Sequence, residues 1–214
     1  MTVKILRVFD EGSGMVLPKQ GRSPLAMIVL TLLEEAPMHA YRMQQLIRMR
    51  EKDSVVNVSS RNSIHQVLSR LERDGLIVPV PDDAPGTRVV YRNTETGREV
   101  LLSWLADTLA RPRNEYPSFA AALSCVPLTT PARLAEMLGE RLRALDVMLD
   151  ELRPEGVRQE YGLERVFVLE DEYRRAMLLA EREWIASLVR DLEAGKLRWQ
   201  RPDPLSTEAA EGSP

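Results

Sequence analysis

Between residues 60 and 73 the chain sets nine hydrogen-bonding side chains close together: Ser60, Arg61, Asn62, Ser63, His65, Gln66, Ser69, Arg70 and Arg73. Asn, Gln and Arg each offer two polar atoms at a spacing that can grip one base edge, and Ser or His can reach a base or a phosphate. Further on, Arg88 and Arg92 flank Val89-Val90-Tyr91, and a guanidinium there suits a phosphate or a minor groove. The chemistry on offer is recognition. Taken alone, the same residues also read as the solvated face of an ordinary amphipathic helix, because polar outward faces are the norm.

Bond-making chemistry has little support. The two histidines, His39 and His65, have no Cys, Asp or Glu at metal-ligand spacing. The glycines do not follow a phosphate-loop or dinucleotide spacing. The acidic groups Glu34-Glu35, Asp82-Asp83 and Glu170-Asp171-Glu172 read as helix-surface or turn charges. No catalytic residue, metal ligand or cofactor is expected, and the chain does not read as an enzyme. Cys125 is the single cysteine, so an intrachain disulfide is excluded. With Phe119, Leu123 and Val126 nearby, it reads as a small buried hydrophobe.

The elements that must carry these residues can be read from periodicity. Ile64, Val67, Leu68 and Leu71 form a thin apolar stripe at helical spacing, with Ser59 or Ser60 as N-cap and Gly75 as the stop. Upstream, Ser23 and Pro24 open a helix carrying Leu25, Ile28, Val29 and Leu32, and Pro37 breaks it. A second helix runs from about His39 to Lys52, with Tyr41, Leu46 and Ile47 available to pack. Downstream, Leu76 to Val80 and Arg88 to Arg92 read as two strands joined by the turn PDDAPG. Thr94 can cap the helix that follows. The order is helix, helix, helix, hairpin, helix, which is the order of a winged helix-turn-helix.

Three segments in that order resemble the PadR family of transcriptional regulators: LTLLEEAPMHAYRMQQLI, SSRNSIHQVLSRLERDGLI and RVVYRNTETGREVLLSWL. They are similar to the family's first two helices and their turn, its recognition helix and exit, and its wing strand and following helix. The resemblance spans about residues 23–105. The chain departs from the family pattern at Ala40, usually glycine, at His65, often tyrosine, and at Arg61-Asn62, usually proline-glycine. The resemblance implies a sequence-specific DNA-binding regulator, a repressor whose operator binding a small molecule could modulate. The competing reading is a winged-helix adaptor that binds protein. The expected DNA contacts are Ser60, Arg61, Asn62, Ser63, His65, Gln66, Ser69, Arg70, Arg88 and Arg92.

The second half reads as helical. Leu134, Leu138, Leu142, Leu145, Leu149 and Leu152 step by fours and threes behind a Thr130-Pro131 start. A long helix is expected from Leu163 to Ala194, with Val166, Leu169, Tyr173, Met177, Ala180, Trp184, Leu188 and Leu192 on one side and Gly195 as its stop. A small winged domain cannot cover both stripes, so a second copy is expected on them; the competing reading is an intrachain helical hairpin with no dimer. This resembles the C-terminal helical dimerisation domain of the longer PadR proteins. Trp104, Phe119, Phe167, Tyr173 and Trp184 are either core or the lining of a pocket for a small aromatic or hydrophobic effector between the winged domain and the long helices.

The expected fold is thus mostly α with a small β-hairpin wing. It divides into an arm (1–22), a winged helix-turn-helix domain (23–111), a helical dimerisation and effector domain (112–200) and a disordered tail (201–214). Net charge is −3 over 214 residues, which excludes a globally basic nucleic-acid binder. Residues 1–110 carry 14 Lys and Arg against 13 Asp and Glu, and residues 111–214 carry 15 against 19. Positive charge is therefore placed locally, as a dimer with two local patches would need. The chain has no membrane-length apolar run or signal-peptide pattern. The expected setting is the cytoplasm and the expected partners are double-stranded DNA and a second copy.

Overall fold

The computed structural model describes residues 22–58, 61–80 and 88–200, with Arg61 and Asn62 described in backbone only. The arm up to residue 21, the Ser59-Ser60 cap, the PDDAPG turn and the tail from 201 lie outside the described residues. The chain divides into two compact units between Asn114 and Glu115.

The first unit runs α1 (Pro24–Glu35), β1 (Met38–His39), α2 (Ala40–Met49), α3 (Arg61–Arg73), β2 (Ile77–Val80), β3 (Val90–Asn93) and α4 (Glu95–Ala110). Local chemistry fixes its boundaries. Ser23 Oγ accepts the Ala26 amide at 3.1 Å, with Pro24 in the first turn. Thr94 Oγ1 accepts the Gly97 amide at 3.0 Å. Each cap satisfies an amide that the helix leaves orphaned. The expected stripe of α3 is closed from water: Ile64, Val67, Leu68 and Leu71 are all buried, and they join one core with Val29, Leu30, Met43, Ile47, Ile77 and Trp104.

The wing is a three-stranded antiparallel sheet in the order β1-β3-β2. β2 and β3 pair from Ile77↔Asn93 to Val80↔Val90. The sequence reading has no β1, because two residues show no alternation. The strand is nevertheless formed, with Met38 opposite Tyr91 and His39 opposite Val90. It pins the start of α2 to the wing. His39 then N-caps α2, its Nδ1 accepting the Arg42 amide at 3.0 Å.

Two glycines carry backbone geometry that side chains would spoil. Gly75 ends α3 in the left-handed region at φ 71°, and the Leu76 amide turns back to the Leu71 carbonyl at 2.8 Å. Gly97, in the first turns of α4, lies so close to the strand that a Cβ would run into the Leu76 carbonyl oxygen. That backbone atom cannot swing aside as a side chain would. Gly97→Ala is therefore expected to lower stability by about 1–3 kcal/mol through overpacking, although alanine is the better helix former. Chemical denaturation would check it; a stabilised variant would mean that α4 can slide on β2.

The C-terminal end of α4 is tied to the start of the chain's described part. Arg22 bonds Asp107 and Thr108, and Arg111 and Arg113 reach Asp107 at 2.7 and 2.6 Å. The hydrogen bond from Arg22 and the flanking arginines hold the Asp107 carboxyl down from 3.8 to about 2. Folding thus favours its ionised form. The stabilisation is complete above pH 3.8 and is lost as pH falls through 2. Asp107→Asn should melt below the wild type at neutral pH, and the gap should close as pH falls from 4 towards 2. Thermal melts at stepped pH would show it, and a gap independent of pH would exclude the carboxylate as its source.

The second unit contains α5 (Ser118–Ser124), α6 (Pro131–Glu151), α7 (Pro154–Tyr161) and α8 (Leu169–Glu193). Thr130 caps α6. α6 and α8 pack antiparallel: Arg141 pairs with Glu181 at 2.5 Å, Arg182 pairs with Asp146, and Trp199 Nε1 donates to the Thr129 carbonyl at 2.9 Å. Between them lie Leu134, Leu138, Leu145, Ile185 and Leu192, with Leu142, Leu178 and Leu188 partly buried alongside. Arg175 Nη1 donates to the Leu149 and Leu152 carbonyls at 2.7 and 3.1 Å, supplying the last turn of α6 with donors it lacks.

Three expectations for this unit are corrected. The long helix starts at Leu169, not Leu163, because Pro154–Tyr161 forms its own helix, stopped by left-handed Gly162 at φ 62° and followed by a 3-10 turn over Arg165–Val168. The apolar stripe of α8 splits: Leu188 and Leu192 turn into the core with α6, while Leu169, Tyr173, Met177 and Trp184 stay exposed. Cys125 is exposed rather than buried, since it caps α5, a seven-residue helix that buries none of its residues.

Candidate nucleic-acid interface

With its apolar stripe in the core, α3 turns His65, Gln66 and Ser69 outward, and all three are exposed. Together with Arg70 and Arg73 they line a shallow groove of about 510 Å³. Arg70 is the member least free to reach outward. It is partly buried, and its guanidinium donates to Ser23 Oγ at 3.2 Å, so it ties α3 to the N-cap of α1. Arg73 holds Asp74 at 2.9 Å. Ser63 is partly buried on the same helix. Ser60 and the side chains of Arg61 and Asn62 lie outside the described residues.

A second concavity of about 700 Å³ opens where α2, α3 and β3 converge. Its polar walls are Gln44 and Arg48 from α2, His65 from α3 and Arg88 beside β3, with Tyr41 and Tyr91 as aromatic walls. The Arg88 guanidinium lies over the Tyr41 ring, 4.8 Å from its centre. Tyr91 donates to Glu72 at 3.4 Å, and burial, with Glu72 beside it, pushes its phenol above the usual range. Arg92 is exposed on β3, opposite Val78.

Two sets of arginines in this unit contrast. Arg22, Arg50 and Arg98 are committed to Asp107, Glu35 and Glu34. Those pairs lock the ends of α1 against α2 and α4: Glu34 also accepts from Asn93 at 2.6 Å, and Arg98 holds its carboxyl below the usual range despite partial burial. Arg48 and Arg88 have no ion-pair partner among the described residues. Their charge is available to an outside anion. Sequence reasoning found Arg88 but assigned Tyr41 to packing and passed over Gln44 and Arg48. The available signal was that Tyr41, Gln44 and Arg48 share one face of α2 at i, i+3, i+7.

The five residues proposed for an effector pocket divide between the two units, Trp104 in the first and the other four in the second. Trp104 is 5% exposed in the core of the first unit, so it fills space there. Phe119 and Trp184 meet edge to face at 6.4 Å in the second unit, and Arg141 sits 3.8 Å above the Phe119 ring. Phe167 and Tyr173 are exposed.

No helix among the described residues is long and apolar enough to cross a membrane. No curated protein matches the sequence. Among solved structures, Bacillus subtilis PadR bound to operator DNA superposes with TM-score 0.58 at 14% identity, over 78% of this chain and 98% of that one. The same protein bound to p-coumaric acid gives 0.63 at 15%, over 79% and 98%. The PadR-like regulator BC1756 from Bacillus cereus gives 0.56 at 17%, also over 79% and 98%. At such identities the likeness shows the fold, a winged helix domain with C-terminal helices. Residues 29–103, from α1 to α4, match the model of the transcriptional regulator PadR-like family. That match makes the winged unit, about a third of the chain, similar to the PadR-like family of transcriptional regulators.

Proposed function

We propose that the protein is a sequence-specific, dimeric DNA-binding repressor acting in the cytoplasm. The observation that carries this reading is the joint presentation of an exposed polar face on α3 and an uncommitted Arg88 on the wing beside it. A recognition helix in a major groove and a wing on the flanking backbone would use those two surfaces. Gln66 and Asn62 are assigned to base edges, and Ser60, Arg61, His65, Arg88 and Arg92 to phosphate. Dimerisation is assigned to the exposed stripe of α8, because two half-sites of an operator need two copies of the reader.

Effector control is part of the reading. The B. subtilis relative was crystallised with p-coumaric acid, and the Phe119–Trp184 pair, with Arg141 over the Phe119 ring, offers an aromatic wall in the second unit. A small aromatic acid is the class we assign, with release of DNA as its effect. A gel-shift selection on fragmented DNA from the source genome tests the central statement: a reproducible retained fragment supports it, and no retention at low salt refutes it in favour of a protein-binding adaptor. Adding p-coumaric acid to the retained complex tests the effector.

A further inference from the structure

We propose that the cleft between α2, α3 and β3 is a seat for a backbone phosphate of bound DNA. Arg48, His65, Gln44 and Arg88 are its donors, and Tyr41 is the positioning residue that holds Arg88 over it. This rests on the DNA-binding reading above.

The argument begins with register. His39 pairs with Val90 across β1 and β3. Continuing that antiparallel register by two residues sets Tyr41 opposite Arg88, and the guanidinium is indeed found on the Tyr41 ring at 4.8 Å. Tyr41 is 51% exposed, and the core below α2 is closed by Met43, Leu46 and Ile47 without it. Its ring therefore has no structural duty that a leucine could not fill. What it does is offer a flat face to a cation.

An unpaired arginine at the edge of a wing loses rotamer freedom when it binds an anion. A guanidinium already stacked on a ring loses less, so its phosphate contact is stronger. Charge supports the same assignment. Among the described residues no carboxylate lines the cleft, and Arg48 and Arg88 enter it without an ion-pair partner. Two cations, an imidazole and a carboxamide from three separate elements converge on one concavity. A phosphate oxygen accepts from all four, and such contacts fix register on the duplex without reading sequence. In helix-turn-helix proteins the helix before the reader crosses the backbone, as α2 would here.

The test is a double-mutant cycle read on two probes, a random-sequence duplex and the retained genomic fragment, at several salt concentrations. Arg88→Gln should weaken binding to both probes by the same factor and flatten the slope of log affinity against log salt by up to about 0.9. Arg48→Gln should also weaken both probes equally. Tyr41→Leu should weaken both about two- to fivefold, Tyr41→Phe should match the wild type, and Tyr41→Leu should add nothing in the Arg88→Gln background. Unchanged melting temperatures would confirm that these surface changes leave the fold alone. Additive effects of Tyr41→Leu and Arg88→Gln, or a Tyr41→Phe loss as large as that of Tyr41→Leu, overturn the positioning role. Loss confined to the genomic fragment overturns the phosphate seat. A wild type that binds neither probe removes the DNA-binding reading itself, whereas a wild type that binds with an additive cycle removes only this inference.

Discussion

If α8 forms the proposed dimer interface, Tyr173→Asp with Met177→Asp is expected to leave the protein monomeric. Affinity for a two-half-site operator should fall by about 10²–10⁴-fold, the factor by which linked sites exceed single ones. Leu169, Tyr173, Met177 and Trp184 fall on one side of α8 and are 47%, 67%, 54% and 50% exposed. The helix packs on α6 through the adjoining edge of that stripe, where Ile185, Leu188 and Leu192 lie. Fully burying one large apolar side chain contributes about 1.5–3 kcal/mol. With half of each already covered, eight side chains from two copies offer roughly 6–12 kcal/mol on that scale. Association opposes this with about 4–15 kcal/mol. The balance is close, so four buried carboxylates, two from each copy, should tip it. Because neither residue belongs to the core with α6, melting of the variant should remain cooperative. Sedimentation velocity decides the matter: a wild-type monomer at micromolar concentration, or a variant that stays dimeric, would move the interface away from α8.

Much of the winged unit was legible because each local signal agreed with its neighbours. Ser23 with Pro24, Thr94 and Gly75 are caps and stops whose geometry depends on one residue and the backbone beside it. Ile64, Val67, Leu68 and Leu71 are buried as their spacing requires, since a thirteen-residue helix with one apolar stripe has a single way to pack. β1 was not legible. It exists through pairing with β3, more than fifty residues further on, and no two-residue segment can announce a partner that distant. The second unit shows the same limit. Leu134, Leu138, Leu145 and Leu149 were correctly a buried seam, yet the share of the α8 stripe that faces α6 depended on how the two helices cross. Periodicity gives a stripe and does not say how many neighbours divide it.

For the candidate interface, the sequence located the surface better than its members. The outward placement of His65, Gln66 and Ser69 follows from the buried stripe by geometry. Arg70 shares that face in the sequence, but its long side chain bends to Ser23 Oγ, a partner set by packing of α3 on α1. Tyr41 looked like a core residue because tyrosine usually is one; the β1–β3 register brings it to Arg88. Trp104 was grouped with the aromatics of the second half by chain proximity, and it fills the core of the first unit. In each case the sequence leaves open where a long or large side chain goes once distant elements are in place.

Gln66→Ala should relax sequence preference without loosening the fold. Gln66 is exposed on α3, between the buried Ile64 and Val67–Leu68 positions, so removing its carboxamide opens no cavity and strands no buried group. A glutamine gripping one adenine edge through two hydrogen bonds discriminates by about 1–3 kcal/mol, roughly five- to 150-fold between the right base and a wrong one. The loss should be confined to one base pair in each half-site. Affinity for random duplex should stay unchanged, because contacts to phosphate carry no sequence information. The salt slope should also hold, since a neutral side chain displaces no counterion. This separates Gln66 from Arg88, whose removal should lower all affinities alike and flatten the slope. Competition of single-base operator variants against the retained fragment is the measurement. Preference that survives intact at every position would take Gln66 off the base edge and shift the reading of sequence towards the N-terminal turn of α3, where Arg61 and Asn62 stand.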